Sequence, residues 1–119
     1  MSSATPAATP DDLLFDHDLF VRGAAPTRVA APRSVAAAID EMRTAAAAGH
    51  VVVARGGGMS YTGGYVVDDT RGHLLLDLRG LDRIDLSHVA DGVVVVEAGV
   101  TWQQLRDALR PLGLRTTFW

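Results

Sequence analysis

The chain has 119 residues and a formal net charge of −3, which argues against a nucleic-acid-binding surface because such a surface needs a basic stripe. It has no cysteine, which excludes disulfides and zinc–sulfur sites within these residues, and no apolar run approaches the ~20 residues of a membrane-spanning helix. The N-terminus also lacks the features of a signal peptide. We therefore expect one cytoplasmic domain, or part of one, with neither a nucleic-acid nor a membrane partner.

The N-terminal part divides into a leader and the start of a domain. Residues 1–12 are rich in Ser, Ala, Thr and Pro and are predicted to be a disordered leader. Residues 13–119 are predicted to form one domain that is truncated at its C-terminal end. Apolar clusters at residues 13–15 and 19–21 indicate a short helical segment against the core, and residues 27–31 are predicted to form an edge strand.

A helix is predicted over residues 34–48, followed by a buried strand over residues 50–54. Ser34 occupies the N-cap position and Gly49 the position after the last turn. Apolar residues recur at helical spacing and give one apolar stripe, formed by Val35, Ala38, Ile39, Met42 and Ala46.

The next segment, residues 55–64, is here called the glycine loop. Its sequence is Arg-Gly-Gly-Gly-Met-Ser-Tyr-Thr-Gly-Gly, so five of its ten residues are glycine. Glycine loses more backbone freedom on folding than any other residue, so such a density is destabilising unless it is needed. It allows sharp turns with positive φ, or it brings backbone N–H groups close to a ligand, most often a phosphate.

The second half of the chain is predicted to contain a turn, three strands and a helix. The turn falls at residues 68–69, a buried strand at 73–78, and a hairpin at 84–87 and 93–97 around Asp91-Gly92. Thr101 and Gln104 form a capping box at the start of a helix. Its predicted apolar face, in which Trp102 is interpreted as a core residue, consists of Trp102, Leu105, Ala108, Leu109 and Leu112.

Known glycine-rich motifs do not fit the glycine loop. A Rossmann fingerprint fails because Tyr61 stands where the third glycine is needed, and a Walker motif fails because Gly63-Gly64-Tyr65 replaces Gly-Lys-Ser/Thr. A nucleophile elbow fails because Thr62 replaces its last glycine, which leaves Ser60 a weak candidate nucleophile for a hydrolase. A diphosphate cradle with hydroxyl donors is the best remaining interpretation, and a flexible turn is the plain alternative.

Other polar residues carry weaker signals. The four histidines lack metal-ligand spacing and are interpreted as solvated or strand-end residues, so no metal site is predicted. Glu97 is interpreted as a structural polar residue. For Arg55, a phosphate contact and a salt bridge at the surface or between domains are equally consistent with the sequence.

These segments together resemble the N-terminal half of the FAD-binding domain of the vanillyl-alcohol oxidase/p-cresol methylhydroxylase family, which includes cytokinin dehydrogenases. The resemblance covers residues 27–119 and depends on the glycine loop together with Glu-Ala-Gly-Val-Thr-Trp at residues 97–102. It implies an α+β fold in which helices pack on a small mixed β-sheet, the first half of a PCMH-type FAD-binding domain.

The resemblance also implies a function and a set of site residues. In that family the loop wraps the pyrophosphate of FAD, and the flavin carries electrons from an organic substrate to oxygen or another acceptor. Matching positions here, the expected cofactor contacts, are Gly56, Gly57, Gly58, Met59, Ser60 and Gly64. A small-molecule substrate would bind to a C-terminal domain beyond residue 119. The alternative is a non-catalytic fragment or binding module that keeps the fold without redox activity.

One position departs from the family pattern. Many members carry a histidine in the loop that bonds covalently to the flavin, whereas this chain has Met59 there. A thioether cannot form that histidyl bond, and the family's other anchor, cysteine, is absent from these residues. We therefore expect FAD to be held non-covalently.

Overall fold

The computed structural model describes residues 22–60, 62–67 and 72–117. The predicted leader, the helical segment at 13–21 and the turn at 68–69 lie outside the described residues. The described strands and helices are, in order, β1 (Arg28–Ala30), α1 (Val35–Ala47), β2 (Val51–Arg55), β3 (His73–Asp77), β4 (Ile84–Asp85), β5 (Val95–Val96) and α2 (Trp102–Leu109). Short 3-10 turns occupy Leu78–Gly80, Val89–Asp91 and Arg110–Leu112.

Strands β1, β3 and β2 form a parallel sheet in that order. The prediction of an edge strand near residues 27–31 is confirmed, and β3 lies in the centre with all five of its residues buried. A central parallel strand is covered on both faces, which explains its continuous apolar run. Because all three strands are parallel, their carboxyl ends meet at one edge, where Arg55 lies opposite Asp77.

Each face of the parallel sheet has its own small core. On one face Leu74 and Leu76 pack with Ala30 and with Ala45 of α1. On the other face Leu75, which is fully buried, packs with Tyr65 from the segment after the glycine loop. The sheet therefore joins the helix on one side to the loop segment on the other.

Helix α1 confirms the predicted helix but buries a different face. Ser34 caps it, since its Oγ accepts a hydrogen bond from the backbone N–H of Ala37 at 3.1 Å. The buried residues are Ala38 and Ala45, whereas the other members of the predicted stripe are exposed: Val35, Ile39, Met42 and Ala46. Of the apolar stripe, the described residues therefore cover only Ala38, and the small side chain of Ala45 packs against Leu74 and Leu76 of the sheet.

The predicted hairpin is present as a separate antiparallel pair, in which Ile84 lies opposite Val96. Its strands are shorter than predicted, and Gly92 in the connection adopts the left-handed conformation with φ of 75°. The predicted α+β fold is thus confirmed. Its parallel and antiparallel strand pairs, which were expected in one mixed sheet, lie in two separate sheets.

Helix α2 begins with the predicted capping box. The hydroxyl of Thr101 accepts from the N–H of Gln104, and the Gln104 side chain accepts from the N–H of Thr101 at 2.7 Å. Leu109 is buried, but Trp102 is 67% exposed, so the prediction that Trp102 packs in the core was wrong. It lies in the first turn of α2 and lines an open groove together with Leu105 and Leu109. None of the helices in the described ranges is long and apolar enough to cross a membrane.

Candidate functional site

The glycine loop leaves the carboxyl end of β2 directly after Arg55. The carboxyl end of β3, at Asp77, lies beside it in register. In open parallel sheets, ligands bind in the crevice outside the carboxyl ends of the strands, where backbone N–H groups of the following loops are accessible. The loop therefore lies where such a sheet places a ligand.

The glycine loop packs against the segment that precedes α2. A Cβ atom added to Gly56 would lie 3.1 Å from the carbonyl oxygen of Ala98, and one added to Gly57 would lie 3.6 Å from Cγ2 of Thr101. The same segment also contacts the turn after β3, since the N–H of Gly99 donates to the carbonyl oxygen of Leu81 at 2.8 Å. The two sequence motifs on which the resemblance depends are thus in contact.

Only some of the loop glycines are required by the fold. Gly58 and Gly63 have φ of 82° and 65°, a region that side chains other than glycine rarely adopt. Gly57 and Gly64 are exposed, have no left-handed φ, and have room for a Cβ at ordinary contact distances of 3.6 and 3.8 Å. Packing within the described part of the chain therefore does not explain glycine at these two positions.

Ser60 organises the second half of the glycine loop. Its Oγ accepts hydrogen bonds from the N–H groups of Thr62 and Gly64, both at 3.3 Å. A serine hydroxyl has two acceptor positions and one donor, so its O–H proton stays directed away from these two amides. The interpretation of Ser60 as a hydrolase nucleophile is not supported, because no histidine in the described ranges hydrogen-bonds to it.

Arg55 and Tyr65 lie beneath the first half of the glycine loop. The guanidinium carbon of Arg55 is 5.5 Å from the centroid of the Tyr65 ring, within the range of cation–π attraction. Tyr65 is 6% exposed, and its hydroxyl donates to the carbonyl oxygen of Gly58 at 3.1 Å. From the sequence, Tyr65 could either stack on a flavin or pack within the loop segment, and in the structure it packs against Leu75. No signal in the sequence indicated that Arg55 and Tyr65 lie together, since nine residues separate them.

Asp77 carries a buried negative charge at the same edge of the sheet. Burial alone would raise the pKa of its carboxyl group, but hydrogen bonds and charge from Arg79, with a smaller contribution from Arg55, lower that pKa below its usual value. Two of these bonds join Nε of Arg79 to the carboxylate oxygens at 2.8 and 3.0 Å. The carboxylate is therefore ionised and paired throughout the neutral range.

The other predicted residues have structural surroundings. Met59 is 74% exposed at the outer side of the loop. Glu97 accepts from the backbone N–H of Arg83 at 2.9 Å, as its structural interpretation requires. His73 is 2% exposed at the start of β3, so it is a strand-end residue but not a solvated one. In the part of the chain that the structure describes, no group of three or more potential metal ligands could hold an ion.

The fold and loop together define a class of protein: a nucleotide-binding domain that presents glycine-rich backbone at the carboxyl edge of a parallel sheet. A family model described as FAD binding domain matches residues 26–118. The chain therefore belongs to this family, the FAD-binding domains of FAD-linked oxidases, and its cofactor is FAD. No protein of curated function was found to match the sequence.

Solved structures agree with this assignment. A berberine bridge enzyme variant described as a reticuline dehydrogenase has a TM-score of 0.70 and 19% identity over 93% of this chain and 23% of its own. BBE-like #28 from Arabidopsis thaliana has a TM-score of 0.63 and 24% identity over 71% of this chain and 17% of its own. At these identities the likeness shows the fold.

Two further enzymes are more similar in sequence. GilR, an oxidoreductase of gilvocarcin biosynthesis, has 31% identity and a TM-score of 0.55 over 70% of this chain and 16% of its own. CrmK, a flavoenzyme of caerulomycin biosynthesis, has 26% identity and a TM-score of 0.59 over 87% of this chain and 21% of its own. The chain thus spans less than a quarter of the length of each of these proteins.

Proposed function

We propose that the glycine loop binds the pyrophosphate of FAD non-covalently, through backbone N–H groups, and so forms part of the cofactor site of an FAD-linked oxidoreductase. The proposed contacts are Gly56, Gly57, Gly58, Met59, Ser60 and Gly64. When bound, FAD supplies the redox chemistry, while these residues bind and orient it.

The observation that carries the proposal is the pair of glycines that the fold does not require. Each of Gly57 and Gly64 has space for a Cβ and no left-handed φ, yet each is glycine and each is exposed. Glycine at such a position lowers stability relative to alanine by roughly 0.5–1 kcal/mol. Close approach of a phosphate to the backbone is the physical reason to keep it there.

Two neighbouring groups support an anionic ligand. The Ser60 hydroxyl accepts from two loop amides, which leaves its proton to be donated to a phosphate oxygen. The Arg55 guanidinium lies behind Gly58 and adds positive charge near the loop. Hydrogen bonds to a charged acceptor are stronger than those to a neutral one, so a diphosphate gains more from this arrangement than a neutral ligand does.

Met59 supports non-covalent attachment. Its side chain is largely exposed, and a thioether offers no nitrogen to bond to the flavin ring. Precipitation of the FAD-loaded protein with acid should release all flavin into the supernatant. Flavin absorbance that stays with the precipitated polypeptide would contradict non-covalent binding.

We also propose that the small organic substrate is bound by polypeptide outside residues 1–119. The described residues supply a parallel sheet, a loop and an antiparallel pair, and they match less than a quarter of each of the structurally similar proteins. This proposal leaves the catalytic acid–base groups unassigned within the chain.

Calorimetric titration of the chain with FAD, ADP and riboflavin tests the proposed function. FAD and ADP both carry a diphosphate and should bind and compete with each other, whereas riboflavin lacks phosphate and should bind much more weakly. Binding of riboflavin alone would contradict a diphosphate site. Failure to bind any of the three, in a protein with a folded circular dichroism spectrum, would favour the non-catalytic module without a cofactor.

A further inference from the structure

Gly58 is held from two sides by the side chains of Arg55 and Tyr65, of which the proposed function uses only the charge of Arg55. A Cβ added to Gly58 would overlap the Arg55 guanidinium, so that group fills the space where a side chain would lie. On the other side, the Tyr65 hydroxyl donates to the Gly58 carbonyl oxygen at 3.1 Å. Arg55 and Tyr65 also contact each other, with 5.5 Å between the guanidinium carbon and the ring centroid. We call Arg55, Gly58 and Tyr65 the clasp.

We propose that Arg55 and Tyr65 are positioning residues that hold Gly58 in its left-handed conformation and thereby direct the neighbouring N–H groups towards a bound diphosphate. This inference rests on the proposed function. It goes beyond that function because it assigns the geometry of the loop to two side chains that need not touch the ligand.

The conformation of Gly58 needs an external cause. Glycine populates positive and negative φ about equally, so the chemistry of the residue alone does not select φ of 82°. The hydrogen bond from Tyr65 fixes the peptide that follows Gly58, and the guanidinium restricts the space beside its Cα atom. Both contacts favour one conformation of the loop before any ligand arrives, which lowers the ordering cost of binding.

The core of the sheet fixes the two side chains in turn. Tyr65 packs with Leu75, which is 0% exposed, so the position of its hydroxyl is determined by the centre of the sheet. Arg55 is the last residue of β2 and lies opposite Asp77, whose buried carboxylate faces its positive charge. The clasp therefore connects the rigid sheet to the glycine loop.

The planarity of the guanidinium is central to this arrangement. A planar guanidinium can contact an aromatic ring and the space beside a glycine at the same time, which a lysine ammonium on a flexible stem does less well. If Arg55 acted through charge alone, lysine would replace it. If it acts as a positioning group, lysine should behave like an uncharged side chain.

The test uses Tyr65→Phe, which removes the hydroxyl and keeps the buried ring. Hydrogen–deuterium exchange of loop amides, measured without FAD, should become about fivefold faster, since a hydrogen bond contributes on the order of 1 kcal/mol. Affinity for FAD and for ADP should fall by a similar factor. Unchanged exchange and unchanged ADP affinity would overturn the role of Tyr65.

Thr44→Val is a matched control, because the Thr44 hydroxyl also donates to a backbone carbonyl, that of Asp40 at 2.9 Å. This bond lies in α1, away from the loop, so its loss should leave loop exchange and ADP affinity unchanged.

Arg55→Lys and Arg55→Met separate geometry from charge. Both should raise loop exchange to a similar extent and weaken ADP binding, with the larger loss of affinity for methionine because it also lacks the charge. Loop exchange fully restored by lysine would overturn the positioning role of Arg55. Wild-type protein that binds neither FAD nor ADP would refute the proposed function. In that case, hydrogen–deuterium exchange of the loop amides in Tyr65→Phe would still show whether the clasp holds the loop.

Discussion

At the scale of single residues, the glycine loop contains glycines of two kinds. At Gly58 and Gly63 the backbone itself requires glycine, since both have left-handed φ. Gly57 and Gly64 do not, and we assign them to the approach of a ligand. This distinction is invisible in the sequence, where all five loop glycines are equivalent, because it depends on φ and on the atoms around each Cα.

Gly57→Ala tests this distinction. The added methyl group fits the folded loop at 3.6 Å from Thr101, so the melting temperature should stay constant or rise slightly. FAD affinity should fall about tenfold or more, because the methyl group keeps the phosphate from loop amides and each bond to a charged group contributes about 1.5–3 kcal/mol. Calorimetry and thermal unfolding measure the two effects.

Gly49→Ala is the control for this change. Gly49 ends α1 with φ of 70° and has no atom within 4 Å of an added Cβ, so the substitution strains the backbone far from the loop. It should lower the melting temperature without changing FAD affinity. If Gly57→Ala behaved in the same way, Gly57 would have a structural role instead.

Asp77 gives a prediction about pH. Its pKa is lowered in the folded state, so its charge stabilises the fold above its unfolded pKa near 3.8, and this stabilisation is lost as the pH falls through the lowered value. Asp77→Asn should lower the free energy of unfolding by about 1–3 kcal/mol at neutral pH, by weakening hydrogen bonds to a charged partner.

The stability difference between wild type and Asp77→Asn should shrink below the pH where Asp77 loses its charge, as denaturant unfolding at several pH values would measure. Asp40→Asn changes an exposed pair with Arg43 and should have an effect well below 1 kcal/mol. A difference for Asp77→Asn that grows towards low pH would contradict the direction of the pKa shift.

At the scale of elements, the signals that depend on neighbouring residues in sequence were reliable. The Ser34 cap, the Thr101–Gln104 capping box and the Asp91-Gly92 connection were predicted and are present. Each of these involves residues within a few positions of one another, so the local sequence determines the geometry.

Features that depend on packing were not predictable in the same way. The buried face of α1 is Ala38 and Ala45, while Val35, Ile39 and Met42 are exposed, because the closeness of helix and sheet decides which side is covered. Trp102 is also exposed, although it lies on the predicted apolar face of α2. Likewise, the contact between Arg55 and Tyr65 arises only when the loop returns over the sheet.

The capping box gives a test at this scale with a matched control. Gln104→Ala removes the side chain that accepts from the Thr101 N–H, and it should lower the free energy of unfolding by roughly 0.5–1 kcal/mol. Gln103→Ala changes the adjacent residue, which is exposed and lies outside the capping box, and should have almost no effect. Equal effects on the midpoint of urea unfolding would show that the capping box does not stabilise α2.

At the scale of the whole molecule, the chain belongs to the family of FAD-binding domains and spans less than a quarter of each solved structure that it resembles. The parallel sheet and the glycine loop both lie within residues 26–118, where the family match confirmed the resemblance seen in the sequence. The antiparallel pair and α2 expose Val95, Val96 and Trp102.

The central claim is that the glycine loop binds the diphosphate of FAD, and nuclear magnetic resonance of backbone amides tests it most directly. Titration of the isotopically labelled chain with ADP should shift the amide signals of Gly56, Gly57, Gly58, Met59, Ser60 and Gly64, while those of α1 stay in place. Shifts confined to the groove beside α2, lined by residues such as Leu105, Leu109 and Leu114, would contradict the claim.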